Sequence, residues 1–232
     1  MDFLYFTPLE WEALKLSLRV SGWAVAGSLP AGICTAWILS RCRFPGKGLL
    51  DGLIHLPLVL PPVVTGYLLL VVLGRKGIIG EFLYDALGIT VAFTWKGAAI
   101  ASAVMAFPLL VRAVRLSIDA VDRGLESAAR TLGAGSLRVF LTVSLPLMVP
   151  GIITGIILAF ARSLGEFGAT ITFVSNIQGE TQTLPLALYS LTQIPDGEAG
   201  ALRLCIVAVM LAMAALLISE WMSKRFAAHM EG

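Results

Sequence analysis

Arg162 and Glu166 stand four residues apart in the run FARSLGEFGAT, with Gly165 and Gly168 beside them and apolar residues around them. On a helix that spacing makes an ion pair, and ionisable groups set in so much hydrocarbon face either protein or a wet cavity. Two readings follow: a self-neutralising pair that holds helices together, or a pair that lines or gates a polar pathway. A second unusual stretch lies upstream, where Pro57, Pro61, Pro62 and Gly66 follow His55 in HLPLVLPPVVTG. Each proline removes a backbone donor and crowds the preceding turn, so a helix here must kink or unwind. The break at Pro61 and Pro62 is read either as a packing kink or as a hinge at the pathway, and His55 as a hydrogen-bonded interface residue.

Groups for covalent or metal chemistry are not assembled in the sequence. Cys34, Cys42 and Cys205 are scattered, without the spacing of a zinc site or a disulfide framework. The two histidines are His55 and His229, and no serine, histidine and aspartate constellation stands on a soluble face. A G-x-x-x-x-G-K-[ST] phosphate loop is missing, since Gly46-Lys47 lacks both the preceding glycine and the following hydroxyl residue. The chain is therefore not expected to bind ATP by that route, to hold a metal or cofactor, or to act as an enzyme. Any energy must come from another subunit.

The largest polar island runs from Arg112 to Pro146 and carries Arg112, Arg115, Arg123, Arg130 and Arg138. Ser127, Ala128, Ala129, Arg130, Thr131 and Leu132 include good helix formers, Gly133-Ala134-Gly135 punctuates them, and Ser136 is placed to cap a second short helix through Leu137, Val139 and Phe140. Helix, glycine elbow, helix is the expectation. Such a bent pair, exposed between two membrane spans, suits a groove on a partner protein.

Composition requires a membrane around these elements. Of 232 residues, 57% are hydrophobic and 14% charged, well away from a soluble domain. At about 20 residues per crossing, five spans are predicted near residues 17–39, 49–73, 91–114, 149–174 and 201–221, with a loop over 115–146. The fold class is an all-α polytopic bundle forming one domain over 1–232. Leu184 to Ile194 is too short to cross and reads as an interfacial or re-entrant helix on the outer side. Met1 to Lys15 lacks the basic region of a cleaved signal, and Phe3, Tyr5, Phe6 and Trp11 read as interfacial anchors. Ten of the seventeen basic residues fall on one side: Arg41, Arg43, Lys47, Arg112, Arg115, Arg123, Arg130, Arg138, Lys224 and Arg225. The positive-inside rule makes that side cytoplasmic, which puts the N-terminus outside and the C-terminus inside.

Ala128-Ala129, then Gly133 and Leu145-Pro146, resemble the coupling loop of the permease subunits of binding-protein-dependent ABC importers. One position departs: the acid that usually precedes the two alanines is Ser127 here, with Glu126 one place upstream. FARSLGEFGATITFVSN and HLPLVLPPVVTGYLLL are similar to molybdate importer permeases, and more loosely to sulfate ones. The resemblance implies docking through Glu126, Ser127, Ala128, Ala129, Leu132, Gly133, Ala134, Gly135 and Ser136 onto two cytoplasmic ATPase subunits, which would hold ATP and magnesium. It further implies an external substrate-binding protein, alternating access in an inner membrane, and molybdate, with tungstate on the same route, as cargo. Five spans are too few to wall a pathway for a dianion, so a homodimer in membrane lipid is expected, with no nucleic acid as a partner. Other readings are a sulfate or thiosulfate permease, a secondary transporter, which would need a coupling-ion site and usually a repeat, or a membrane enzyme.

Overall fold

The computed structural model describes residues 6–230, which are helical throughout apart from turns and short connections. The interfacial anchors Phe3 and Tyr5 lie outside the described residues. Trp11 is already inside α1, Pro8–Arg41, because Thr7 and Glu10 close a capping box and Pro8 occupies the first turn, where its missing N–H costs nothing. The helix therefore starts nine residues before the span predicted at Ser17 and reaches about 51 Å at 1.5 Å per residue.

The region predicted as one second span is two helices, α2 (Lys47–Val59) and α3 (Pro62–Leu73), which meet at 115°. Leu60 and Pro61 are extended, as expected of residues that precede prolines. A further helix, α4 (Ile78–Leu87), occupies what the sequence presents as a plain loop. It folds tightly back on α3: a β-carbon at Gly80 would lie 2.0 Å from the Gly74 carbonyl oxygen, so only glycine permits the approach.

Helix α5, Trp95–Ala120, is the central pillar, and most of its apolar stretch is buried. Two short helices follow, α6 (Arg123–Thr131) and α7 (Ser136–Val139). A π-helical turn over Phe140–Ser144 then leads without interruption into α8, Leu145–Leu164. Gly165 to Phe167 separate α8 from α9, Gly168–Val174; the predicted 149–174 segment would reach about 39 Å as straight helix against about 30 Å of hydrocarbon, and this break takes up the excess that tilt could also have absorbed. The nine-residue α10, Leu184–Thr192, and the long α11, Glu198–Met230, complete the chain. Among the described residues four helical runs are long and apolar enough to cross a membrane, and the bent α2/α3 pair makes a fifth at most.

Small residues set the packing. Val25, Ala36, Leu39, Leu110, Val111, Val114, Ile118, Met148 and Ile152 form one core between α1, α5 and α8. Gly32 and Gly155 leave the space that the Leu110 side chain fills, and Gly151 receives Ser117. Without a hydrophobic drive between helices in lipid, such close backbone approach is what holds them. A second core joins α1, α5 and α9 through Val20, Ala98, Ala101, Met105, Ala169 and Phe173, with Leu69, Leu70 and Leu73 of α3 against it. By contrast α11 exposes Leu202, Ile206, Val209, Met210, Met213, Leu216, Leu217 and Ile218, the surface of a helix in contact with hydrocarbon.

At the crossing of α3 and α9, a β-carbon on Gly66 would sit 2.5 Å from the Ala169 carbonyl oxygen. Gly66→Ala is expected to push the two helices apart and cost about 1–3 kcal/mol, read as a lower unfolding temperature in detergent. Gly22→Ala, on an open face of α1, should hold or raise that temperature, since alanine is the better helix former.

Candidate functional site

Two constellations emerge, at opposite ends of the continuous helical run Ser136–Leu164. The first is the elbow between α5 and α8. Asp122 caps α6 by accepting from the Gly124 N–H at 2.7 Å. The helix ends in a Schellman motif: the Gly133 N–H donates to the Arg130 carbonyl at 3.0 Å and the Ala134 N–H to the Ala129 carbonyl at 3.1 Å. Gly133 takes φ +82°, the left-handed conformation this motif demands and glycine adopts without strain. Ala134 and Gly135 then turn the chain into α7. Ser136 does not cap it; Gly135 occupies that position without a side-chain bond, and Ser136 is the first helical residue.

The elbow presents an apolar ridge to the outside. Leu125, Leu132 and Leu137 are exposed, Leu132 at 89%, and Ser127 and Ala128 stand exposed on α6 between the first two. Arg123, Arg130 and Arg138 are exposed around it. Ala129 is half-buried. Glu126 alone among the predicted loop residues turns inward, where it is buried and meets Arg41 and Ser144, each at 2.8 Å. Arg41 entered the sequence reading only as one of a basic cluster, and Ser144 not at all. Their partner lies 85 residues away from Arg41 along the chain, and no local pattern announces such a pairing.

The second constellation sits where two helices are interrupted. Arg162 Nη1 donates to Glu166 Oε2 at 2.6 Å, while Glu166 Oε1 accepts the Ala169 N–H at 2.8 Å. The carboxylate therefore both neutralises the arginine and caps the broken start of α9, a donor that would otherwise be orphaned away from water. The pair is lopsided: the Glu166 side chain is 1% exposed and that of Arg162 28%. Pro62 packs here as well, since a β-carbon on Gly168 would lie 2.7 Å from Pro62 Cβ. The break after Pro61 thus abuts the break after Gly165. Of the predicted pathway residues, Pro62 is brought to the helix break that Arg162 and Glu166 flank, and Pro61 adjoins it in the chain.

His55, expected as an interface residue, is bonded within its own helix, and it is Asp51 that reaches across to α5. His55 Nδ1 lies 2.8 Å from the Asp51 carbonyl oxygen and 3.2 Å from Asp51 Oδ1, and Arg115 Nη1 reaches both Asp51 carboxylate oxygens at 3.1 Å. Among the described residues no three histidines, cysteines or carboxylates come together as a metal cluster would. The short α10 is pinned to the bundle, with the Leu184 N–H donating to Ser17 Oγ at 2.6 Å. Beside it Arg203 of α11 donates to the buried Glu10 of α1 at 2.8 Å.

The model of the binding-protein-dependent transport system inner membrane component family matches residues 28–231. The chain belongs to this family. It is a multi-pass inner-membrane transport component. The molybdenum transport system permease protein ModB of Escherichia coli K12 is 65% identical over 221 residues, 95% of this chain and 96% of that protein. ModB of Haemophilus influenzae is 58% identical over 94% of the chain. The sulfate transport system permease protein CysT of Salmonella typhimurium is 41% identical, over 81% of this chain and 66% of its own length. Among solved structures, a bacterial ABC transporter that imports the acidic polysaccharide alginate aligns over 96% of the chain with a TM-score of 0.74 at 19% identity. The methionine transporter MetNI aligns over 94% at 0.67. Both share the fold.

Because Glu166 holds Arg162 and the Ala169 N–H together, Glu166→Ala is expected to cost about 3 kcal/mol, the order found when one partner of a buried pair is removed. Glu166→Gln keeps an acceptor for Ala169 and should cost less. Thermal unfolding of the two purified variants in detergent checks the ranking.

Proposed function

We propose that this chain is the membrane-spanning permease of an ATP-driven molybdate importer, with tungstate carried by the same route. The observation that carries the reading is the 65% identity to a molybdenum transport permease along nearly the whole of both chains. The sulfate permease is similar at a lower level and over a smaller share of its length.

In this reading the α6 end of the bundle faces the cytoplasm, the side to which the positive-inside rule assigns the basic residues named above, and the N-terminus is outside. Two copies of the chain enclose the pathway about a two-fold axis. Two ATPase subunits, which hold the ATP and magnesium, receive the elbow of each copy in a surface groove. Leu132 and Leu137 are suited to it: large apolar side chains exposed beside a glycine turn fill pockets on a partner with little entropy to lose. An external binding protein delivers the anion at the α10 face.

Closure of the ATPases draws the elbows together. The inward movement passes into α5 through Val121 and Asp122, and into α8 through the unbroken run from Ser136. The far end of α8 carries Arg162 and Glu166 at the two abutting helix breaks. A rotation of α8 there changes the packing of Pro62 on Gly168, which makes this the gate. Arg162, paired yet partly exposed, offers passing oxyanions a weak attraction and not a trap, as fast release requires.

The complex of permease, ATPase and binding protein, reconstituted in proteoliposomes, tests the cargo. Molybdate and tungstate should stimulate ATP hydrolysis and sulfate should not; stimulation by sulfate alone would reassign the transporter. A second test addresses the elbow. Proline at 133 can neither adopt φ +82° nor donate to the Arg130 carbonyl. Gly133→Pro should leave membrane insertion intact while uncoupling hydrolysis from uptake, and normal uptake by that variant would count decisively against the mechanism.

A further inference from the structure

Glu126 occupies the loop yet contributes nothing to its outer ridge. One carboxylate oxygen accepts from Arg41 Nη2 and from Ser144 Oγ, both at 2.8 Å. Arg41 is the last residue of α1 and Ser144 the last residue of the π-helical turn, so a single oxygen ties together three elements that are not consecutive. Aromatic contacts extend the tie. The Arg41 guanidinium lies 5.6 Å from the Trp37 ring centre, and Trp37 meets Phe140 edge-on with centroids 5.0 Å apart. Phe140 opens the π-helical turn that Ser144 closes. The end of α1 thereby grips both ends of that turn. Arg41 Nη2 also reaches the Ile118 carbonyl at 3.4 Å, and Ser40 bonds to Asp119, which adds α5 to the cluster.

We propose that Glu126 and Arg41 are positioning residues for energy coupling, a strut that carries displacement of α6 into α1. The proposal rests on the reading of α6 as the ATPase-docking element. Helices α5 and α8 are joined covalently to the elbow, whereas α1 is not. Apolar packing lets helices slide, but parting a charged pair whose side chains are only 13% and 11% exposed strands buried charge. The π-helical turn is the one irregular point of the run from Ser136 to Leu164, the kind of bulge that recurs at functional sites. Arg41 Nε is buried without a hydrogen-bond partner, which leaves the guanidinium a spare donor with which to follow the carboxylate. Partner contacts at the groove then fall to Leu125, Ser127, Ala128, Leu132 and Leu137, and Glu126 makes none.

The test uses the full complex with Glu126→Gln, Arg41→Gln, Arg41→Lys, and the charge swap Arg41→Glu combined with Glu126→Arg. Both glutamine variants should still bring down the ATPase in wild-type amount, while uptake per ATP hydrolysed falls about fivefold or more. Binding-protein stimulation of hydrolysis should fall in step, and Arg41→Lys and the charge swap should each recover part of the coupling. If Glu126→Gln releases the ATPase and Arg41→Gln does not, Glu126 is a docking contact and the strut is wrong. Uptake and hydrolysis that fall together with the amount of folded protein reduce the pair to a stabiliser and also overturn it. Normal capture with an unchanged uptake ratio sinks the strut alone; failure of the wild-type chain to capture an ATPase overturns the docking reading and the strut with it.

Discussion

A helix broken inside a membrane leaves backbone groups that lipid cannot satisfy, and every one must find a protein partner or water. This chain interrupts two helices, after Val59 and after Leu164, and places the interruptions against each other. Gly66 and Gly168 allow the contact, because side chains at either position would collide with Ala169 or Pro62. Glu166 answers the exposed Ala169 N–H and the Arg162 charge together. This buried acid is therefore retained for backbone satisfaction as much as for charge, and two interruptions costly apart are tolerable together.

The same demand organises the other end. There the chain leaves α5, turns twice and enters α8, and each turn is closed locally by the Asp122 cap and the Schellman bonds around Gly133. With its backbone satisfied from within, α6 can stand out from the bundle and expose leucines on its outer side. Its inner side is held by Glu126. A rigid outer ridge on a tethered base is a geometry that can be pushed, and α8, one continuous helical run from Ser136 to Leu164, gives the push a direct path to the helix breaks.

The chain shares its fold with a transporter whose cargo is an acidic polysaccharide, so the fold alone does not fix a cargo. Among the described residues no group of three histidines, cysteines or carboxylates is assembled that could hold a metal ion.

Much of this was legible in the residues. The apolar runs located the four long helical runs, although the second of the five predicted spans is a bent pair of short helices; the prolines at 61 and 62 located one break, the i,i+4 spacing gave the Arg162 to Glu166 pair, and the glycine at 133 announced the elbow, because each is a local property of backbone or helix geometry. Local signals fell short where several solutions share one composition: α4 resembled a loop, Ser136 resembled a cap, and the excess length before Val174 could have been tilt. What the tertiary structure alone decided is which distant groups meet. That α5 lies at the centre, that the two breaks abut, and that Glu126 turns inward to Arg41 depend on packing between residues tens of positions apart. A carboxylate one residue out of its usual place reads the same in sequence whether it faces a partner or its own first helix, and only the burial of its charge against a specific cation settles which.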